Sequence, residues 1–238
     1  MSLGFALLII GAYLLGAVPA AYLVARWRRG IDIRKYGSGN VGASNILRTV
    51  SKRWSIPVAL FDIGKGVLMV WIAQLIGLGA AEQITVGIVT IIGHNWPVSL
   101  HFKGGRGIFT SLGVITILSP LLGLIVLVMA YILAPLRQMA LGVFCALISL
   151  PIFSWFLSGQ LGIAAADRLA ITIGLIVLTT VGLTRRLLEP RTELSRSQPL
   201  AKVLLTRLVF DRDIMDRKAW VYRTPIKKSP KPQPPQED

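Results

Sequence analysis

The chain holds one cysteine, Cys145, and two histidines, His94 and His101, in 238 residues. A single thiol inside an apolar run excludes a disulfide framework within the chain and a cysteine-rich metal site. Carboxylates are scarce as well: 11 Asp and Glu stand against 26 Lys and Arg, giving a formal charge of +15. No Cys, His and carboxylate residues gather at metal-ligand spacing, and no G-x-S-x-G nucleophile elbow is present.

What remains is apolar and basic. With 53% hydrophobic residues and a mean hydropathy of +0.64, the two kinds of residue must be segregated, as in a multi-span membrane protein. Apolar segments run over 3–25, 54–78, 83–101, 107–135, 139–157 and 168–184. The first lacks a basic leader and is long enough to span, so it is read as a retained helix. The fourth carries Pro120 near its middle, where a missing amide and a ring clash favour a break. The connection after the first segment carries Arg26, Arg28, Arg29, Arg34, Lys35, Arg48, Lys52 and Arg53, which places it inside the cell and the N-terminus outside. If 107–135 turns at Pro120, Arg137 and the basic C-terminal tail also fall inside. The reading is an all-α membrane bundle of about seven transmembrane helices, N-terminus out and C-terminus cytoplasmic, with the lipid bilayer as a partner and nucleic acid not.

Polar residues mark the chemistry. "KYGSGNVGASNILRT" contains Gly37-x-Gly39-x-x-Gly42, but a dinucleotide fingerprint needs a preceding strand, and a membrane span precedes it here. The underlying physics still holds: glycines let backbone N–H groups approach an anion, and Ser38, Asn40, Ser44 and Asn45 add neutral hydrogen-bonding groups beside Arg48. "KGGRG" repeats the theme with Lys103, Gly104, Gly105 and Arg106, on the same side of the membrane by the charge argument. Asp62 and Lys65 stand at i, i+3 on one helical face within a span, where ionisable groups pair and often function. Both histidines lie near a helix end, where a polar anchor is the ordinary role; His94 gains weight for function from its proximity to the basic loop, His101 little. Trp54, Trp71 and Trp96 suit membrane-interface anchors. The His-x4-Asp pair of the common membrane acyltransferases is missing, since Ser99 and Arg106 follow the two histidines at that distance. With no obvious general base, the pattern points to an already activated substrate, oriented and held by positive charge.

Together these motifs resemble the acyl-phosphate-dependent glycerol-3-phosphate acyltransferases, bacterial integral membrane enzymes of phospholipid synthesis. The first family motif, G-S-G-N-x-G-x-[TS]-N-x-x-R, is matched by Gly37 to Arg48; D-x-x-K-G by Asp62 to Gly66; and G-H-x-x-P-V…F-K-G-G-[KR]-G by Gly93, His94, Pro97, Val98 and Phe102 to Gly107. The resemblance covers residues 1 to about 185. It implies a seven-helix fold, an active site facing the cytoplasm, location in the bacterial inner membrane, and transfer of an acyl chain from acyl phosphate to the 1-hydroxyl of glycerol 3-phosphate without metal or cofactor. Acyl phosphate and glycerol 3-phosphate are then the partners, with an acyl-phosphate-producing enzyme as a further one. Ser38, Asn40, His94, Lys103 and Arg106 are the implied catalytic set. Gly37, Gly39, Gly42, Ser44, Asn45, Arg48, Asp62, Lys65, Gly104, Gly105 and Arg186 are the implied substrate-binding residues.

The third family motif departs. Thr180 and Leu183 stand where a His and an Asn belong, Pro190 replaces a Gly, and Glu193 aligns only with a one-residue shift, although Arg186-Leu187 survives. Arg137-Gln138-Met139-Ala140-Leu141 lacks the serine of the pattern that opens the sixth helix. A non-catalytic paralogue binding phospholipid precursors and an organic-phosphate transporter therefore stand as alternatives. The chain divides into a membrane-embedded domain over 1–185, a cytoplasmic tail over 186–223 and a Pro- and Lys-rich end over 224–238. Within the tail, Leu200, Leu204 and Leu208 share one helical face, as in a helix lying on a membrane surface.

Overall fold

The structure, a computed structural model, describes residues 3–221, so the Pro-rich end over 224–238 lies outside the described residues. All regular elements among these residues are helical. The first apolar segment is interrupted: α1, Leu3–Gly16, and α2, Ala20–Arg29, are separated at Pro19, which can donate no amide hydrogen to continue the ladder. A short α3, Ala43–Thr49, leads into α4, Lys52–Leu75, whose first turn is capped by the Ser51 hydroxyl accepting the Arg53 amide at 3.1 Å. Helix α5, Ala80–Asn95, follows a tight turn.

The fourth apolar segment breaks at Pro120, giving α6, Ile108–Leu118, and α7, Pro120–Ile132. Proline suits the first position of the second helix, and the Ser119 hydroxyl caps it while donating to the Leu161 carbonyl at 2.7 Å. Helices α8, Met139–Phe156, and α9, Arg168–Leu187, complete the bundle. By length and composition four described stretches can cross a membrane: Leu3–Arg29, Lys52–Leu75, Met139–Phe156 and Arg168–Leu187. The α6 and α7 rods, 11 and 13 residues long, reach only about 17 and 20 Å at the helical rise of about 1.5 Å per residue. That is short of a hydrocarbon core of about 30 Å.

Leu7, Ile10 and Leu14 on α1, Leu68 and Leu75 on α4, Leu124 and Val128 on α7 and Ile173 and Ile176 on α9 are exposed on the outer surface, the pattern of a lipid-facing belt. Inside, Val70, Ile84, Ile91, Val114, Leu122, Leu150, Leu175 and Leu178 form one apolar core. Small residues set the closest approaches. A methyl at Gly16 would lie 2.2 Å from the Thr90 carbonyl oxygen, and one at Gly66 would lie 2.4 Å from that of Thr110. Glycine at these crossings lets α1 meet α5 and α4 meet α6 backbone to backbone.

Past α9 the chain does not lie apart from the bundle. Helix α10, Leu200–Phe210, packs on α8 and α9 through buried Val203, Thr206 and Arg207, while Leu200 and Leu205 are exposed. The buried stripe is therefore not the Leu200, Leu204 and Leu208 face picked out by periodicity. An ion pair decides it: Arg207 Nε meets Asp213 Oδ1 at 2.7 Å and its other nitrogens donate to the Leu187, Glu189 and Pro190 carbonyls. These include groups that the end of α9 leaves without intrahelical partners. A last turn, α11, Arg217–Val221, closes the described chain.

Candidate functional site

The first glycine-rich loop is organised from within. Asn45 is fully buried in α3; its Oδ1 accepts the Ser38 amide at 3.2 Å, and its Nδ2 donates to the Tyr36 and Asn40 carbonyls, each at 3.0 Å. Gly37 sits at φ +56°, and a Cβ there would fall 2.3 Å from Asn45 Oδ1, so both backbone conformation and space demand glycine. Asn45 and Gly37 thus frame the loop, and Asn45, fully buried with both Nδ2 hydrogens taken by loop carbonyls, has no donor left for a ligand. Gly42 precedes α3. The loop presents Ser38 and Gly39 to a cavity. Beside them Asn40 Oδ1 is buried and has no hydrogen-bond partner among the described residues. Ser44 and Arg48 are exposed on α3 and do not line that cavity.

Beneath the second loop lies a buried triad. Lys65 Nζ is 3.0 Å from Asp62 Oδ1, 2.7 Å from His94 Nδ1 and 3.0 Å from the Gly16 carbonyl oxygen it donates to. The Nδ1 of His94 lies 3.4 Å from Asp62 Oδ1. An ammonium only donates, so His94 accepts through Nδ1 and carries its proton on Nε2. That edge faces Gly105, where an added Cβ would come 2.0 Å from Nε2. Gly105 also abuts the Val41 carbonyl, so the two glycine-rich loops touch. Asp62, Lys65 and His94 do not line the cavity; they support its floor.

Loop 103–107 is clamped from the far end of the chain. Arg185 Nε donates to the Asn95 and Gly105 carbonyls, each at 3.1 Å, and its Nη2 donates to the Gly104 carbonyl at 3.0 Å. Its Nη1 pairs with Glu189 at 2.6 Å, and Glu189 also binds Arg106 at 3.1 Å. Asp211 Oδ1 forms an ion pair with Arg106, 2.8 Å from its Nε, without the alignment of a hydrogen bond. The neighbouring Arg186, which the family motif suggests for substrate, points elsewhere, because successive helical residues are turned by about 100°. It donates to the Leu208 carbonyl at 2.7 Å and the Ala140 carbonyl at 3.3 Å, fastening the tail to α8. Thr180 is exposed and donates to the Ile176 carbonyl at 2.8 Å.

The cavity so enclosed has a volume of about 560 Å³ and is lined by Ser38, Gly39, Lys103, Gly104 and Arg106 from the two loops. Arg185, Glu189, Arg191, Arg207, Asp211, Arg212 and Asp213 supply the opposite wall, with Arg34, Lys35 and His101 at its rim. Sequence reasoning missed that wall, for no local pattern ties residues 185–213 to loops so far upstream. Asp32 is held below the usual carboxylate range by the Arg34 guanidinium, 2.8 Å away, which outweighs partial burial. Burial pushes the Asp213 carboxyl up, but Arg207, Thr192 and Ser195 bind its ionised form and bring it to about 2. Burial, and then Arg217, pull the Arg212 guanidinium below the arginine range, with Asp216 opposing. A second cavity of about 500 Å³, beside Arg28, Arg53 and Trp54, contains none of the motif residues.

Residues 6–189 match the protein family described as glycerol-3-phosphate acyltransferase. The chain belongs to that family. It is 45% identical over 232 residues to "Glycerol-3-phosphate acyltransferase 5" of Dehalococcoides mccartyi, covering 97% of this chain and 99% of the relative. Another protein of that species, "Glycerol-3-phosphate acyltransferase 4", is 44% identical over 94% of this chain and 95% of its own length. Among solved structures, PlsY (YgiH), an integral membrane glycerol 3-phosphate acyltransferase, superposes in its glycerol 3-phosphate form with a TM-score of 0.69 at 31% identity, covering 77% of this chain and 88% of that one. Its lysophosphatidic acid form superposes with a TM-score of 0.66.

Proposed function

We propose that this membrane acyltransferase moves an acyl group from acyl phosphate to the 1-hydroxyl of glycerol 3-phosphate, releasing lysophosphatidic acid and inorganic phosphate. The observation that carries the reading is the convergence of both glycine-rich loops on one cationic cavity, with Ser38, Gly39, Lys103 and Arg106 on its wall. Backbone amides in such loops and the Lys103 ammonium suit a phosphoryl group, and stabilising its developing charge is the main catalytic demand of a mixed anhydride. Asn40 Oδ1, buried next to the cavity-lining Ser38 and Gly39 and without a hydrogen-bond partner among the described residues, is the acceptor that orients the attacking hydroxyl. The hydroxyl oxygen bonds to the acyl carbon, the bond from that carbon to the phosphate oxygen breaks, and the departing phosphate takes the hydroxyl proton. His94, through its Nε2 edge against Gly105, positions loop 103–107 and is not the base.

In this reading the bundle has seven spans, with its N-terminus outside and both basic loops at the cytoplasmic face of a bacterial inner membrane. The short α6 and α7 then need a tilted setting or a locally thinned bilayer. An enzyme that makes acyl phosphate must supply the donor. The test is phosphate release and lysophosphatidic acid formation by the purified protein given palmitoyl phosphate and glycerol 3-phosphate. Wild-type protein forms both products in equal amount, and Asn40→Ala loses at least about 100-fold in rate. Bound acyl phosphate without product would instead identify a non-catalytic paralogue, and passage of either substrate across proteoliposomes without product, a transporter.

A further inference from the structure

The charge pairing around the cavity is uneven. Arg34 is matched by Asp32, Arg106 by Glu189 and Asp211, Arg185 by Glu189, and Arg207 by Asp213. Arg212 lines the same cavity, is only 7% exposed, and has neither a carboxylate in ion-pair range nor a hydrogen-bond partner for its Nε among the described residues. Its guanidinium lies over the Phe210 ring, 5.0 Å from the centroid, which fixes its plane without satisfying its N–H groups. A buried cation with no carboxylate in ion-pair range is costly, Asp216 acting on it only from a distance, whereas a fork of N–H donors beside a cavity matches two oxygens of a phosphoryl group.

We infer that Arg212, supplied by the segment after the last span, binds the phosphoryl group of a substrate in this cavity. The inference rests on the proposed acyl transfer for its kinetic form. It gives a binding task to a segment outside residues 6–189, the part of the chain that matches the family. Glycerol 3-phosphate and acyl phosphate both carry the recognised group, and kinetics separates them.

The test compares wild-type protein with Arg212→Gln and Arg212→Lys, varying each substrate while the other saturates. Arg196→Gln, a change at an exposed tail arginine, is the control. Arg212→Gln raises the KM for one phosphate-bearing substrate about tenfold or more while kcat changes less than about threefold, and Arg212→Lys recovers part of the loss. The substrate whose KM moves is the occupant. Unchanged KM for both substrates in folded Arg212→Gln overturns the inference, as does an equal fall of kcat in both variants with KM unmoved. If Arg212→Gln does not fold, Arg212→Lys decides alone: a raised KM supports the inference and a wild-type KM overturns it. Should wild-type protein form no product, acyl transfer fails, and inorganic phosphate is the remaining probe. A phosphate-induced rise in melting temperature present in wild type and lost in Arg212→Lys keeps the inference, whereas an equal rise, or none in wild type, removes it.

Discussion

Loops 35–42 and 103–107 are both short, glycine-rich and flanked by basic residues, yet they are held in different ways. The first is wound around the neutral amide of Asn45, which reaches carbonyls five and nine residues upstream. The second is pinned by the guanidinium of Arg185, 80 residues from Gly105, whose charge is balanced in turn by Glu189. One loop is a local device and the other depends on the whole bundle having closed. The first can therefore form with few long-range contacts, whereas the second requires α9 to be in place.

The comparison breaks most severely at the charged clamp. Arg185→Met removes one of the two partners of Glu189 and leaves the buried Gly104 and Gly105 carbonyls without their side-chain donor, so it destabilises the protein by about 2–4 kcal/mol. Thermal unfolding in detergent checks this, and a loss below about 1 kcal/mol would show that the clamp is dispensable. Asn45→Ala is next, at about 2–3 kcal/mol, because the loop amide and carbonyls it pairs lie in a buried setting. Gly37→Ala, which keeps Asn45 but forces a side chain onto φ +56°, costs about 1–3 kcal/mol and lowers acyl transfer through the same loop.

Acid gives the smallest effect and acts on the clamped wall through Asp213. The carboxyl of Asp213 is depressed from 3.8 to about 2 in the folded chain, so its contribution is complete above pH 4 and disappears as the pH falls through 2. That contribution is at most about 2 kcal/mol. Asp213→Asn flattens the acid limb of the unfolding profile over this window, and an unaltered limb in the variant would remove Asp213 from the account.

The same contrast explains what the sequence disclosed. The glycine pattern, the Asp62 and Lys65 spacing and the Pro120 break are local signals, and each appears in the structure as a local geometry. The adjacent arginines illustrate the opposite case. A motif identifies Arg186, but the turn of about 100° that selects Arg185 for the loop depends on how α9 rotates against α5, which packing alone decides. The pairing of Arg106 with Asp211 and of Arg207 with Asp213 was equally hidden, since a leucine stripe suggested that α10 lies on lipid. A buried arginine tied to three carbonyls and a carboxylate outweighed the apolar pattern.

The docked tail also orders events during synthesis. Both glycine-rich loops emerge from the ribosome long before residues 189–213, and the helices that carry them can enter the bilayer while that part of the cavity wall is still untranslated. A nascent chain halted after its last span would thus have its anion-facing amides in place beside an open half-pocket. Closing the cavity therefore depends on the docking of residues 189–213 and not on insertion of the helices that carry the loops.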